Sequence, residues 1–130
     1  MTTQQRWGWW LAGLACLLPG WLQAEGATTI DVLDVLAHRY ATPQQVGAFL
    51  HQKFTFQRDQ ELFGVIEHWQ TPAEFLANRK GDCEDYALLA RALLLRNDIE
   101  AYIFSLFGDG GYAHTVCVFV DAQGRYNIIN

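Results

Sequence analysis

An α+β fold in one small domain is what this 130-residue sequence predicts, and three observations carry the prediction. Two proline-led helix starts, Thr42-Pro43-Gln44-Gln45 and Thr71-Pro72-Ala73-Glu74, lie ahead of residue 80. Residues 83–96 are apolar around most of the helical girth, which marks a buried helix. From Ile99 onward the hydrophobic period changes from 3.6 to 2, so helices come first and an antiparallel sheet follows. A chain that is 51% hydrophobic and 18% charged, without repeats or low-complexity tracts, excludes disordered and collagen-like classes.

The chain opens on a leader. Arg6 is the only charge before Glu25, residues 7–18 are apolar apart from glycines, and small Ala24 stands where a signal peptidase cuts. Residues 1–24 are expected to be a secretory signal peptide and residues 25–130 the exported domain, periplasmic or secreted. A membrane anchor is the rival, but about a dozen apolar residues fall short of the ~20 that span a bilayer, so no stable membrane insertion is expected after cleavage. A lipoprotein signal at Cys16 is disfavoured by the preceding Gly13-Leu14-Ala15 and by the apolar residues after it. Without the leader the net charge goes from −5 to −6, leaving no positive field for nucleic acid or an anionic membrane surface.

The helices follow in order. Leu33, Leu36, Ala37 and Tyr40 form one stripe in residues 30–40. After the cap at Thr42, Val46, Phe49 and Leu50 supply a second buried face. Phe54-Thr55-Phe56 alternates like a short strand, and residues 57–63 read as loop. After the cap at Thr71, Phe75 and Leu76 point inward. Asp82 is a natural N-cap for the long helix, Glu84 and Asp85 suit its positive end, and Asn97 is placed to close it in the left-handed conformation. Strands are expected at residues 99–107, 114–120 and 126–130, with a five-residue hairpin loop between the last two.

Cys83 falls in the first turn of the buried helix, where backbone N–H groups favour thiolate and make a nucleophile. The ordinary alternative is a small core residue. Asp82, Glu84 and Asp85 oppose thiolate formation, so a histidine partner is needed. His38 and His51 sit among polar neighbours on helices and read as solvated; His68 precedes a tryptophan in an irregular stretch and stays ambiguous. His114 opens an otherwise apolar strand, which suits delivery of an imidazole to a cleft. With a five-residue loop, Val120 faces Tyr126, Val118 faces Ile128 and Val116 faces Asn130, so Asn130 shares the face of His114 and is placed to fix its tautomer. Cys117 has the other parity and reads as core. A Cys83–Cys117 disulfide is set aside because the two would face opposite ways.

Residues 69–76, the string Gly81-Asp82-Cys83-Glu84-Asp85-Tyr86-Ala87 and the His114 strand together resemble the transglutaminase-like superfamily, in particular its bacterial cysteine-proteinase-like branch, over roughly residues 42–130. The resemblance implies a papain-related fold and a catalytic triad of Cys83, His114 and Asn130, with asparagine where the family usually has aspartate. It also implies an oxyanion-hole donor upstream of the nucleophile, for which Gln70 and Trp69 are the candidates beside the Cys83 backbone N–H. No cofactor is expected, although carboxylates near this cysteine bind calcium in some bacterial relatives. Asp82, Glu84 and Asp85 are the corresponding residues here, and helix capping is the simpler account of them. The expected function is a cysteine-dependent amide hydrolase acting on protein or peptide through a thioester. A transglutaminase-type acyltransferase and a catalytically silent peptide- or cell-wall-binding module are the alternatives.

Overall fold

The computed structural model describes residues 31–129; residues 1–30, with the expected leader and Cys16, and Asn130 lie outside them. Asp31 accepts the Leu33 N–H and starts α1 (Val32–Arg39), which buries Ala37 and packs Leu33, Leu36 and Tyr40 on the core. A reciprocal capping box of Thr42 and Gln45 starts α2 (Pro43–Lys53), whose Val46, Phe49 and Leu50 are buried. Each backbone donor satisfied in this way removes one of the orphan groups of a helix start.

The next stretch is more structured than its sequence suggests. Thr55–Phe56 form β1, and the residues read as loop contain a one-turn helix, α3 (Asp59–Leu62), with Asp59 buried. A second capping box, Thr71 with Glu74, starts α4 (Pro72–Asn78). Lys80–Gly81 form β2, which pairs in parallel with β1, Thr55 opposite Lys80 and Phe56 opposite Gly81. This pairing ties the chain after α2 to the chain just ahead of Cys83.

The long helix α5 (Cys83–Leu95) runs through the centre. Leu89, Ala90, Leu93 and Leu94 have no exposed surface, because α1, α2 and α4 cover one side of it and the sheet covers the other. Each leucine buried in this way contributes roughly 1.5–3 kcal/mol relative to exposure. Phe54 stands at the junction, its ring 4.5 Å from Phe75 and 5.4 Å from Phe49. Arg96 reaches Asp31 at 2.9 Å and Asp34 at 2.8 Å; such surface pairs add at most about 1 kcal/mol each. The left-handed residue after α5 is Asp98, with φ 57°, and not Asn97. Asn97 instead donates its side-chain amide to the carbonyls of Ala37 and Leu93, joining α1 to the end of α5.

The sheet has the order β3 (Ala101–Phe107), β4 (Ala113–Val120), β5 (Tyr126–Ile129), antiparallel throughout. Val118 faces Ile128 and Val120 faces Tyr126, as the five-residue loop requires. The side of the sheet packed on α5 carries Ala101, Ile103, Cys117, Phe119 and Ile129. The opposite side exposes Tyr102, Phe104, Leu106, Tyr126 and Ile128. No helix among the described residues is long and apolar enough to cross a membrane.

Leu93 has no exposed surface in the last turn of the helix that the other layers pack on. Leu93→Ala should therefore cost about 2–5 kcal/mol, read from the urea midpoint, whereas Leu95→Ala, at 42% exposure, should cost under about 1 kcal/mol.

Candidate active site

Cys83 and His114 line one cleft of about 430 Å³. Cys83 reaches it from the first turn of α5 and His114 from the start of β4. The Thr115 N–H points at the Cys83 sulfur, which sets the strand residue next to His114 directly against the thiol. Thr115 is itself buried and pinned by a 3.0 Å hydroxyl contact with Ser105 of β3. The sheet therefore holds β4 rigidly beside the helix start. His114 has the parity opposite to Cys117, but it is Cys117 whose face packs on α5; His114 enters the cleft from the strand's end. Tyr112 lies close to it, 6.4 Å between ring centroids.

The thiol's surroundings differ from the expectation of a depressed pKa. Partial burial pushes the Cys83 thiol up, and the carboxylates of Glu84 and Asp82 push it further, while the Thr115 N–H opposes them. The S–H donates to Glu84 Oε2 at 3.3 Å, so the neutral thiol is the form this constellation holds. Cys83 and Cys117 are both free, with no disulfide between them. Cys117 has no exposed surface, and burial pushes its thiol up to about 11, so it is core, as its parity predicts.

Asp82 is the N-cap of α5 and Asp85 its capping-box partner, as the sequence suggests, yet two of the acids are buried and not solvated. Asp85 has no exposed surface and Glu84 only 4%. Asp85 Oδ1 accepts the Gln70 N–H at 2.8 Å, and Oδ2 accepts the Gln70 side-chain amide at 2.7 Å and the Asp82 N–H at 3.2 Å. Burial still raises the Asp85 pKa against these bonds. Gly81 is required here, because a Cβ at that position would lie 2.2 Å from Asp85 Oδ2 and 2.7 Å from the Gln70 amide nitrogen.

Gln70 is therefore occupied elsewhere. Its side-chain amide donates to Lys80 O and to Asp85, its carbonyl accepts from Asn78, and it does not line the cleft. Trp69 is half exposed and donates its ring N–H to Glu67, also away from the cleft. Neither oxyanion candidate lines the cleft that Cys83 and His114 share. The Cys83 backbone N–H lies in the first turn of α5, where helix N–H groups lack helical acceptors. Asn130 lies outside the described residues, while the strand register on which its assignment rests is the observed one. Of the remaining histidines, His51 is exposed, as its polar neighbours suggest, and also lines the cleft, while the ring of His68 lies tilted against Phe63.

One acidic residue joins the cluster from far away in sequence. Asp59, only 1% exposed at the start of α3, accepts the His68 N–H on Oδ2 and leaves Oδ1 without a partner among the described residues. Asp82 Oδ1 is likewise buried and unpartnered. Ligand atoms of Asp59, Asp82 and Asp85 lie within 4.8 Å of one another, as do those of Asp82, Cys83 and Glu84. Buried carboxylate oxygens that converge with no partner among the described residues suit a hard, oxygen-seeking cation. No spacing rule points to Asp59; only the fold brings it there.

Comparison with known proteins follows the same lines. The family model of a transglutaminase-like domain matches residues 25–130. A UPF0252 protein of Archaeoglobus fulgidus is 30% identical over 120 residues, 92% of this chain and 36% of the relative. The centrosomal protein of 76 kDa from Xenopus laevis is 34% identical over 85 residues, 64% of this chain and 13% of that protein. The chain thus spans about a third or less of the length of these relatives. Among solved structures, calcium-bound LapG of Legionella pneumophila superposes with a TM-score of 0.52 at 24% identity, covering 68% of this chain and 51% of LapG. A Cytophaga hutchinsonii protein described as a candidate cysteine protease gives 0.61 at 16% identity, covering 75% of this chain and 36% of that one. These two share the mixed helix and antiparallel-sheet fold.

Asp82 supplies a test of the cluster's electrostatics. Burial, together with Glu84 and Asp59, pushes its carboxyl from the ordinary 3.8 up to about 7. Between these values the folded chain keeps a proton that the unfolded chain releases, so stability falls as pH rises through the window. Asp82→Asn should change little near about pH 4 and should stabilise the metal-free protein near about pH 8 by about 1–2 kcal/mol, after allowance for solvent screening. Urea midpoints in chelator-containing buffer at the two pH values read this out; an equal effect at both would show that Asp82 is not strained by charge.

Proposed function

This chain belongs to the transglutaminase-like family, and from that premise we propose that it is an exported cysteine-dependent hydrolase of protein amide bonds. The observation that carries the reading is that Cys83 and His114, from different elements, line one cleft. Export rests on Arg6, the apolar residues 7–18 and Ala24.

In this reading the Cys83 sulfur attacks the carbonyl carbon of the scissile amide as the thiol proton passes to His114. The Cys83 N–H donates to the oxygen as it gains charge. The C–N bond breaks as His114 returns the proton to the leaving amine, and a thioester remains. His114 then takes a proton from water, the hydroxyl adds to the thioester carbonyl, and the C–S bond breaks. The carboxylic acid leaves as the sulfur recovers the proton. Asn130 is assigned to hold the imidazole in the tautomer these transfers need.

Cys83→Ser or His114→Ala should lower hydrolysis of a fluorogenic peptide by about a thousandfold or more, and Asn130→Ala by less, with far-ultraviolet circular dichroism unchanged. Wild-type rates in both Cys83→Ser and His114→Ala would place the chemistry elsewhere.

Calcium, which one LapG structure carries, is the cation we assign to the acidic cluster, with Asp59, Asp82 and Asp85 as its holders. Its charge would offset the carboxylates that now oppose ionisation of Cys83. Saturating calcium should raise the melting temperature by several degrees, equivalent to about 2 kcal/mol, and Asp59→Asn should abolish most of that rise. An unchanged rise in Asp59→Asn would remove Asp59 from the site.

A further inference from the structure

The cleft at Cys83 continues past it. Its walls are Leu50, Phe54, Phe56, Tyr86, Ala87 and Ile129, and among the described residues no Asp, Glu, Lys or Arg lines it. A second, more polar cavity of about 420 Å³ is lined by Gln44 and Asn127 and shares Gly47, His51 and Ile129 with the first. The two form one groove between α2 and β5, with Gly47 and His51, one helical turn apart, at its waist. β5 is an edge of the sheet, so its outer backbone groups face this side without a strand partner among the described residues.

Gly47 has no structural reason to be glycine. It sits in the interior of α2, where glycine is less stable than alanine, and its φ is not in the left-handed region. A Cβ built there meets nothing within 4 Å, so no neighbouring atom demands its absence. The space kept open is the groove itself.

Resting on the hydrolase reading, we propose that the groove takes an extended peptide acyl donor. The bulky apolar side chain of the residue that carries the attacked carbonyl fills the cavity beside Cys83, and the backbone crosses Gly47 toward Asn127 and Gln44. A charged side chain among Leu50, Phe54, Phe56, Tyr86, Ala87 and Ile129 loses its water and meets no Asp, Glu, Lys or Arg among the described residues, so it is rejected. Gly47 is a specificity-determining position because any side chain there narrows the passage.

The test separates binding from chemistry by using the Cys83→Ala protein. Blocked Gly/Ser hexapeptides carrying a single Leu, Phe, Asp or Lys are titrated against it by nuclear magnetic resonance. Leu and Phe peptides are expected to bind at least about tenfold more tightly than Asp and Lys peptides, with shifts at Gly47 and Ala87. In the Cys83→Ala background, Gly47→Leu should weaken the Leu peptide about tenfold while the melting temperature stays at or above the parent's. Gly47→Ala, which favours the helix, should raise the melting temperature and weaken binding to a smaller degree. Equal affinity for all four peptides, no binding, or unchanged affinity in both Gly47 variants overturns the proposal. Should the binding pattern hold while wild-type protein leaves the Leu peptide uncut, the groove stands and the hydrolase reading falls.

Discussion

Asp85 is a carboxylate with no exposed surface, and its oxygens collect the N–H and the side-chain amide of Gln70 and the N–H of Asp82. Those bonds join the chain entering α4 to the start of α5. Breaking one partner of such a network leaves a buried polar group unsatisfied, at roughly 1–3 kcal/mol or more where charge is involved. Gln70 extends the hold to Lys80 and Asn78. The position of Cys83, two residues before Asp85, is therefore set from the protein side of the cleft and not by the thiol's own contacts.

The same arrangement sets opposing fields on the thiol. The first turn of α5 presents N–H groups that favour an anion, and the Thr115 N–H adds to them. Against this stand burial, Glu84 and Asp82, which together hold Cys83 neutral. Asp59 brings another acid into the same region, and its Oδ1 has no partner among the described residues. A thiol placed this way is restrained by charge, and in the hydrolase reading proposed above whatever neutralises the acids governs its reactivity.

Local signals were readable. The boxes Thr42/Gln45 and Thr71/Glu74 span three residues each, and both helices begin where those residues stand. The register of β4 with β5 followed from loop length and the two-residue period alone. Non-local features were not readable. The parallel pairing of Thr55 with Lys80 joins residues far apart and carries no periodic mark. Asp59 looked like loop, yet tertiary packing turns it into a buried helix start. Gln70 was assigned by analogy with related folds, whereas its amide is spent on Asp85 and Lys80. Asn97 has the left-handed tolerance expected of it, but its side chain is worth more bridging α1 and α5, and Asp98 takes the turn.

Gly81 shows what this economy of space implies for inheritance. Its missing side chain is the room that Asp85 and Gln70 occupy, and the atoms that would be struck belong to the pair that fixes the helix start. A lineage cannot exchange this glycine first and adjust later, because the first step already displaces the buried acid. Positions 70, 81 and 85 are therefore expected to drift together or not at all, which makes them a linked set when sequences of such domains are aligned.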